Sequence, residues 1–447
     1  MIKHILLSTI FALCCGTMFA QPHYGLQQLL DSARQNNIAI RTARHDMEAA
    51  GEQRKEAFTK YFPNVSGVGM WFNANQSLVK TTVTPSDMIS PEAGAALASS
   101  MPVELLAELG NPIEIAKMKN GTVAGVTAVQ PIYAGGQIVN GNRLARVGEE
   151  VSRLQMQLSE QEVELTAEQY FWQLASLQEK MKTVLAVDSL LADIRKDANV
   201  AVEAGVALTN DLLQVQLRQN EVQSQKLKLQ NALSLMRLLL AQYCGLNDTA
   251  FVISYDVDAS LPLGNKTDAA QGALATVEYQ LLGKQVEATR LQKKMAVGQN
   301  LPTVSVGAGY NYHNLLDDNQ SFGMVFATVS VPISDWWGGS HSIRRRKIEY
   351  QKAQEQLSDN TEMLKIRVMK AWNEVEESHQ QLQLARLGIK QAQENLRLNR
   401  DQYAAGVIKM SDLLEAQMLY QQTRDRHCDA FSLYHIKLLE YRHATGQ

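Results

Sequence analysis

The chain has 447 residues, 45% of them hydrophobic and 20% charged, and a formal net charge of −3 at pH 7. This slightly acidic balance argues against a nucleic-acid partner, because phosphate backbones require a basic face. The length alone permits two or three domains, so the internal pattern of the sequence has to decide the architecture.

The first twenty residues have the composition of a secretory signal. Lys3 and His4 precede an apolar stretch at 5–13, and small residues lead up to Ala20. This order predicts export, with residues 1–20 removed and Gln21 at the start of the mature chain. After the signal, no apolar run approaches the roughly 18 residues of a membrane helix, so any membrane crossing is predicted to use strands.

The cysteines fall into two pairs. Cys14 and Cys15 lie in the signal and leave open an alternative in which an acylated cysteine anchors the chain, although the preceding residues 11–13 fit a lipoprotein signal poorly. Cys244 and Cys428 remain in the mature chain. One pair in so long a chain provides no disulfide framework, and both are predicted to be buried thiols.

The mature sequence is a tandem repeat. Four markers recur at one spacing, since 332 − 131, 406 − 205, 412 − 211 and 446 − 245 all equal 201. The matched residues are Pro131 and Pro332, Gly205 and Gly406, Asp211 and Asp412, and Gly245 and Gly446. A spacing that tolerates no insertion is expected of long helices whose register is fixed by packing.

An insertion distinguishes the first copy further upstream. Pro63 is matched by Pro302 at 302 − 63 = 239, so the first copy has 239 − 201 = 38 additional residues. They are placed around 81–120, where four prolines predict a long irregular loop.

Long helices are predicted in the stretches without proline, which lie between Pro131 and Pro262 and after Pro332. In the first stretch, apolar residues recur at helical spacing and predict a helix over about 142–203 with two packed sides. At 1.5 Å per residue this helix is on the order of 90 Å long, too long for one compact globular core.

Each stretch is interrupted once near its middle. Gly205 and Gly406 are predicted to end one helix in the left-handed conformation. Thr209, Asn210 or Ser411 is then predicted to cap the next helix. Each copy is therefore expected to form a long antiparallel helical hairpin with a tight tip.

Four strands are predicted, over 65–73, 122–130, 304–312 and 322–331. The third alternates between an apolar, aromatic-ended face and a small polar face, as transmembrane strands do. Aromatic residues cluster near strand ends, where a membrane–water interface would place a girdle: Trp71, Phe72, Tyr310, Tyr312, Trp336 and Trp337. An ordinary soluble β-hairpin is the alternative for these strands.

Four strands in lipid require partners. An open sheet would expose two edges whose backbone groups cannot reach water. Closure of a barrel takes at least about eight strands, so the chain is predicted to oligomerise, as a dimer or a larger assembly.

The signal, the tandem repeat of helix, β-hairpin and helical hairpin, and the glycine tips followed by Asp-Leu-Leu together resemble the TolC-like outer-membrane efflux proteins. The resemblance implies a mainly α fold with β, in which a homotrimer forms a 12-stranded transmembrane β-barrel continued by a periplasmic α-barrel of helical hairpins. The first repeat is placed at 21–246, a linker at 247–270 and the second repeat at 271–447.

The resemblance also implies a function. It predicts an exit duct in the outer membrane of a Gram-negative bacterium, serving a tripartite efflux pump or a type I secretion system. A periplasmic adaptor protein and an inner-membrane pump would be the partners, and substrates would pass without chemistry. Neither a cofactor nor a nucleic-acid partner is expected.

Candidate functional residues lie at the tips. Asp412 and Glu415 match family acids that form rings at the tunnel entrance, and three copies would place six carboxylates around an opening that favours cations and binds divalent ions. Asp211 is the equivalent acid of the first tip, where capping of the helix is the simpler interpretation. Tyr403 matches a tyrosine of the entrance latch, but Ile408 stands where the family has a basic partner.

The adaptor is expected to contact exposed residues of both tips, because apolar residues at a helical turn require a partner. These residues are Gly205, Val206, Ala207, Leu208, Gly406, Val407, Ile408 and Lys409.

An enzyme is not expected, because the sequence has no histidine or cysteine pair at metal-ligand spacing and no phosphate-binding glycine loop. His427, Cys428 and His435 do not converge on one metal from a single helix. A soluble periplasmic coiled-coil adaptor is the alternative function, but it leaves the strands without a role. The exported substrate cannot be read from the sequence.

Overall fold

The computed structural model describes residues 22–103, 105–106, 111–257, 262–315 and 319–446. The predicted signal, its cleavage site and the alternative lipid anchor at Cys14 or Cys15 lie outside these residues. The chain divides into two units. The helical unit comprises the described residues up to Gly51, Gly148–Glu287 and the described residues from Gln351 onward; the strand unit comprises Glu52–Val147 and Ala288–Tyr350.

Helices dominate the chain, and the predicted long helices are confirmed. They are α1 (Leu26–Asn36), α2 (Ile38–Thr59), α3 (Pro91–Ser100), α4 (Gln137–Glu203), α5 (Thr209–Cys244), α6 (Ala269–Ala275), α7 (Val277–Gln299), α8 (Asp335–Ala404) and α9 (Met410–Ala444). Within the described ranges, no helix is sufficiently long and apolar to span a membrane.

Each repeat contributes two long strands to the fold. They are β1 (His23–Tyr24), β2 (Asn64–Asn73), β3 (Val79–Val83), β4 (Ile113–Lys117), β5 (Asn120–Ala134), β6 (Val252–Ile253), β7 (Thr303–Asn314) and β8 (Gln320–Ser330). The four predicted strands correspond to β2, β5, β7 and β8, which form one antiparallel sheet in the order β2-β5-β7-β8. β5 and β7 join the two repeats.

The insertion in the first repeat is more ordered than predicted. Instead of an irregular loop throughout, β3 and β4 pair as an antiparallel ribbon, and a short 3-10 helix and α3 lie between them. The prolines were misread because Pro85 and Pro91 each begin a helical segment, where a missing N–H is tolerated. Ser90 caps α3 by accepting a hydrogen bond from the Ala93 N–H.

The helical unit buries its apolar side chains in a large cluster away from the tips and in a second cluster near them. Its largest fully buried side chains include Phe171 of α4 and Phe431 and Tyr434 of α9. The linker at 247–270 also contributes, since Phe251 is buried and β6 pairs in parallel with β1. Cys244 and Cys428 are free and buried, as predicted.

Glycines close the helices at the repeat positions. Gly245 ends α5 with φ 68°, and Gly446 follows α9 with φ 70°. An added Cβ at Gly245 would collide with the side chain of Asn36, so glycine is required there both for its conformation and for space.

Candidate functional site

The two tips have the same backbone geometry. We call residues 204–208 the first tip and residues 405–409 the second tip. At the first, Gly205 has φ 73°, its N–H donates to Val202 O at 3.0 Å, and the Val206 N–H donates to Ala201 O at 2.9 Å. This is a Schellman motif, in which a left-handed residue satisfies the last carbonyls of a helix.

The second tip repeats the motif. Gly406 has φ 73°, its N–H donates to Tyr403 O at 2.9 Å, and the Val407 N–H donates to Gln402 O at 3.0 Å. The prediction of glycine at a left-handed turn in each hairpin is therefore confirmed. The 201-residue offset holds at the level of individual hydrogen bonds.

The residues that cap the following helices were predicted wrongly. Thr209 begins α5 and Ser411 lies within α9, so neither precedes its helix. The cap comes from the aspartate three residues after the N-cap position. Asp211 Oδ2 accepts from the Leu208 N–H at 3.3 Å.

Asp412 makes the equivalent contact in the second hairpin, where its Oδ2 accepts from the Lys409 N–H at 3.3 Å. A carboxylate in the first turn also interacts favourably with the positive end of the helix dipole. Both aspartates therefore have a structural role in the protomer.

The acidic pair of the second tip lies on the outer side of its helix. Asp412 and Glu415 are both exposed, whereas Leu413 and Ala416, each one residue further along, are buried. The apolar side of this turn packs into a cluster that also contains Val215 of α5. The two carboxylates therefore face solvent, while the opposite side of the same helical turn packs against buried apolar residues.

Tyr403 lies between the two hairpins. It is half-buried against the cluster of buried residues from α4, α5 and α9, including Val184, Leu191 and Val215. Burial raises the pKa of Tyr403 above its usual value, and the nearby carboxylate of Asp211 raises it further. The structure therefore brings together Tyr403 of the second hairpin and Asp211 of the first.

Apolar side chains protrude from both tips. Val206 is 80% exposed, Leu208 71% and Val407 72%. Ala207 and Ile408 are half-buried, and Lys409 is exposed. Ile408 brings no positive charge to the position where the family resemblance implies a basic partner of Tyr403.

A polar network between the hairpins was not predicted. Arg218 of α5 donates from Nε to Gln417 Oε1 at 3.0 Å and from Nη2 to Gln421 Oε1 at 2.8 Å, both on α9. Gln421 donates onward to Gln225 Oε1 at 2.6 Å. Gln417 is 0% exposed and Gln421 3%. Two glutamines four residues apart on an otherwise apolar helix face were the available signal.

The four-stranded sheet has two chemically different faces. Cross-strand register places Trp71, Thr122, Tyr310 and Tyr312 on one face, together with alternate residues of β8 such as Val325. This face carries no ionisable side chain apart from the tyrosines. The opposite face carries the polar side chains of β7 and several glycines, together with the aromatic side chains of Phe72, Phe322 and Phe326.

The predicted girdle residues are divided between the two ends and two faces of the sheet. Trp71 and Tyr312 lie towards one end, while Trp336 and Trp337 follow β8 at the other. Phe72 neighbours Trp71 in β2 and therefore points to the opposite face. Tyr310 lies four residues inside the end of β7.

Metal-site geometry is not found in the described part of the chain, where no group of three or more His, Cys, Asp and Glu side chains could hold an ion. Burial raises the pKa of Cys428 to about 12. Burial also lowers the pKa of His435 to about 4, with a smaller contribution from Arg442. His435 stacks on Trp172 with ring centroids 3.5 Å apart, which is the contact of a core residue.

Comparison with solved structures identifies the fold. The outer membrane protein VceC of Vibrio cholerae is similar with a TM-score of 0.73 and 15% identity, over 94% of this chain and 96% of that one. The CmeC outer membrane channel of Campylobacter jejuni has a TM-score of 0.74 and 14% identity, over 94% and 85%. The MtrE outer membrane channel of Neisseria gonorrhoeae has a TM-score of 0.74 and 14% identity, over 94% and 88%.

Sequence comparison matches the second part of the chain to a known family. No curated protein matches the chain significantly. Residues 268–447, which include β7, β8 and the second helical hairpin, match the family described as outer membrane efflux protein. The first repeat has two long strands and a helical hairpin in the same order, with an insertion between the strands, and the fold spans both copies. The second repeat therefore matches outer membrane efflux proteins in sequence, and the chain has the fold of the solved outer membrane channels.

Proposed function

We propose that the protein is a trimeric exit duct of the outer membrane, through which substrates delivered by an inner-membrane pump and a periplasmic adaptor leave without chemical change. The proposal rests mainly on the four-stranded sheet β2-β5-β7-β8. In the part of the chain that is described, neither β2 nor β8 pairs along its outer side. In lipid these edges require neighbours, and three copies supply twelve strands.

The residues on the two faces of the sheet suggest which face contacts lipid and which lines the lumen in the proposed barrel. The face with Trp71, Tyr310 and Tyr312 contacts lipid, and the face with Asn311 and His313 lines the lumen. Trp336 and Trp337 lie at the periplasmic interface, from which the helices continue. Phe72 is excluded from the lipid-facing belt by its position on the lumen face.

Fractionation and electrophoresis test this proposal. We expect the protein in the outer-membrane fraction as a detergent-extracted species that migrates as a trimer without heating. After boiling it should migrate as a protomer smaller than the 49.7 kDa of the full sequence, because residues 1–20 are removed. A chain that remains in the soluble periplasmic fraction, or with the inner membrane, would exclude the duct. The latter result would revive the adaptor alternative, which the family match does not favour.

The second tip is proposed to form the selective entrance. Three copies of Asp412 and Glu415 would place six carboxylates around the opening, which favours cations. We expect D412N together with E415Q to reduce cation preference in single-channel recordings. An amide in place of the Asp412 carboxylate keeps an oxygen acceptor for the Lys409 N–H, so the cap is retained. D211N is the matched control, because Asp211 makes the same cap in the first tip. Equal loss of selectivity in both variants contradicts the assignment.

Both tips are proposed to dock the adaptor. The three protruding side chains are Val206, Leu208 and Val407. Their replacement by serine is expected to abolish crosslinking of the adaptor to cysteines placed at the tips, because apolar burial drives such docking. The trimer should remain intact, since these side chains make little contact within the protomer. Undiminished crosslinking would move the adaptor surface elsewhere. The substrate class and the choice between a tripartite pump and type I secretion follow from the pump that is captured.

A further inference from the structure

Four basic residues lie near one end of the sheet, and we call them the basic collar: Arg143, Arg146, Arg344 and Lys347. The last residue of β5, Ala134, is in register with Thr303 of β7, which pairs with Ser330 at the end of β8. α4 therefore begins three residues (137 − 134) and α8 five residues (335 − 330) after the same edge of the sheet. Both helices carry basic residues in their second to fourth turns, within the strand unit.

The basic residues occupy equivalent positions in the two repeats. Arg143 and Arg146 of α4 match Arg344 and Lys347 of α8, since 344 − 143 and 347 − 146 both equal 201. All four side chains are exposed. Within the described ranges none of the four has an ion-pair or hydrogen-bond partner. By contrast, the neighbouring Arg346 is paired with Glu349 at 2.7 Å.

An exposed apolar residue precedes the basic ones on each helix. Trp337 is 82% exposed and lies seven residues before Arg344, about two turns away on the same face. Val139 is also exposed and lies four residues before Arg143, one turn away. Both helices thus change from apolar to basic with distance from the strands, as chains do where they leave a bilayer.

The direction of the side chains brings the charges closer to the strands. In a helix the Cα–Cβ bonds tilt towards the N-terminus, and here the N-termini of α4 and α8 are the ends joined to the sheet. Long arginine and lysine side chains extend along that direction and place their charged groups at the level of an interface.

We propose that Arg143, Arg146, Arg344 and Lys347 form a binding surface for the phosphate headgroups of anionic phospholipids in the inner leaflet of the outer membrane. The proposal rests on the membrane insertion of the strands proposed above. The positive charges of the collar favour an anionic lipid over a zwitterionic one. Trp337 lies on the same face of α8 as Arg344, which puts the collar next to the proposed lipid boundary. In a trimer, the collar would contain twelve positive charges.

Native mass spectrometry of the full-length trimer with equimolar phosphatidylglycerol and phosphatidylethanolamine tests the collar. The wild type is expected to retain phosphatidylglycerol preferentially. The variant R143Q, R146Q, R344Q and K347Q is expected to lose this preference roughly tenfold or more, because each basic side chain near an anionic surface contributes about fivefold. Raised salt should weaken the wild-type preference in the same direction.

Two further variants separate specific from general charge effects. K196Q, K228Q, K390Q and R400Q remove four exposed positive charges from the helical unit and should keep the wild-type preference. The variant R143K, R146K, R344K and K347R preserves the charge of the collar and should also keep it. A preference that is unchanged in the collar variant, or lost equally in the helical-unit variant, overturns the proposal.

The same samples distinguish the remaining explanations. If wild type and variants are all heat-modifiable trimers of the outer membrane while lipid preference is unaffected, only the collar is wrong. If the wild type never reaches that membrane, the duct itself is wrong. A collar variant that loses binding to purified peptidoglycan, or falls apart into protomers, with unchanged lipid preference would assign these charges to the cell wall or to a neighbouring protomer instead.

Discussion

The polar network centred on Arg218 permits a quantitative prediction. R218M keeps most of the aliphatic volume of the side chain but removes its donors. The buried Oε1 atoms of Gln417 and Gln421 then lose the hydrogen bonds of 3.0 and 2.8 Å that join α5 to α9. The third bond, from Nη1 to Glu221 at 2.8 Å, involves an exposed carboxylate and contributes about 0.5 kcal/mol or less.

The magnitude follows from the two buried bonds. Hydrogen bonds to a charged donor contribute about 1.5–3 kcal/mol each, which gives about 3–6 kcal/mol as an upper range. Removing the charge also removes the desolvation penalty of a largely buried guanidinium, which offsets part of the loss. We expect the free energy of local opening of α5 and α9 near these residues to fall by about 2–3 kcal/mol.

Hydrogen exchange of the purified full-length protein measures this loss. At about 1.4 kcal/mol per factor of ten, amides near Arg218 and Gln417 should exchange roughly 30- to 150-fold faster in R218M. Amides near the C-terminal end of α5, which packs in the separate core with Leu240 and Cys244, should not change. The triple variant R218M, Q417M and Q421M should recover most of the protection, because no buried amide oxygen is then left without a donor.

Two results would refute this account. Unchanged exchange in R218M would mean that the network does not join the helices. A triple variant that exchanges faster than R218M would mean that volume and apolar packing, rather than the unpaired amides, determine the loss.

Two further predictions concern individual contacts in the helical unit. G245A should lower the melting temperature of the protein more than G406A. Both force a left-handed alanine, a penalty of about 1–2 kcal/mol, but only at Gly245 does the new Cβ meet a neighbour, Asn36. Equal effects would contradict this steric reason. Because the pKa of His435 is lowered to about 4 from 6.5, its contribution to stability is complete above pH 6.5 and declines as the pH falls towards 4. H435F, which retains a ring against Trp172, should reduce the difference in unfolding free energy between pH 7 and 4.5 by on the order of 2 kcal/mol per protomer, and an unchanged difference would exclude His435 as its source.

The sequence predicted those features that depend on local chemistry or on repetition. The left-handed glycines at Gly205 and Gly406 were predictable because few other residues adopt that conformation. The strands were predictable because alternation in 304–312 has a single interpretation once the flanking stretches are helical. The proline-free stretches gave the long helices for the same reason.

The errors arose where two chemical roles are open to one residue type. Hydroxyl residues after a glycine usually cap, yet Thr209 lies inside its helix and Asp211 accepts the bond from the N-cap N–H instead. The prediction of an irregular chain around Pro91 is wrong because proline is also favoured at the first position of a helix, here α3. Contacts between distant helices, such as Arg218 with Gln417, leave only a weak local pattern, because the spacing of the two glutamines does not show which residue of another helix they meet.

The repeat explains why the tips were predictable and the contact between the hairpins was not. The hydrogen bonds of each tip are formed within that tip, so the same residues serve in both copies. Gly205 and Asp211 accordingly recur as Gly406 and Asp412, 201 residues later. The contact between the hairpins is a pairing of one copy with the other, which requires complementary rather than identical side chains. Arg218 accordingly corresponds to Leu419 (218 + 201), which is exposed, while the donors from Arg218 meet Gln417 and Gln421.

Exchange of the two side chains, R218L with L419R, would preserve composition and helix propensity while leaving the buried amides unpaired and moving the charge to solvent. We therefore expect that double variant to show the same faster exchange as R218M, and wild-type protection in it would mean that the copies do not recognise each other through this network.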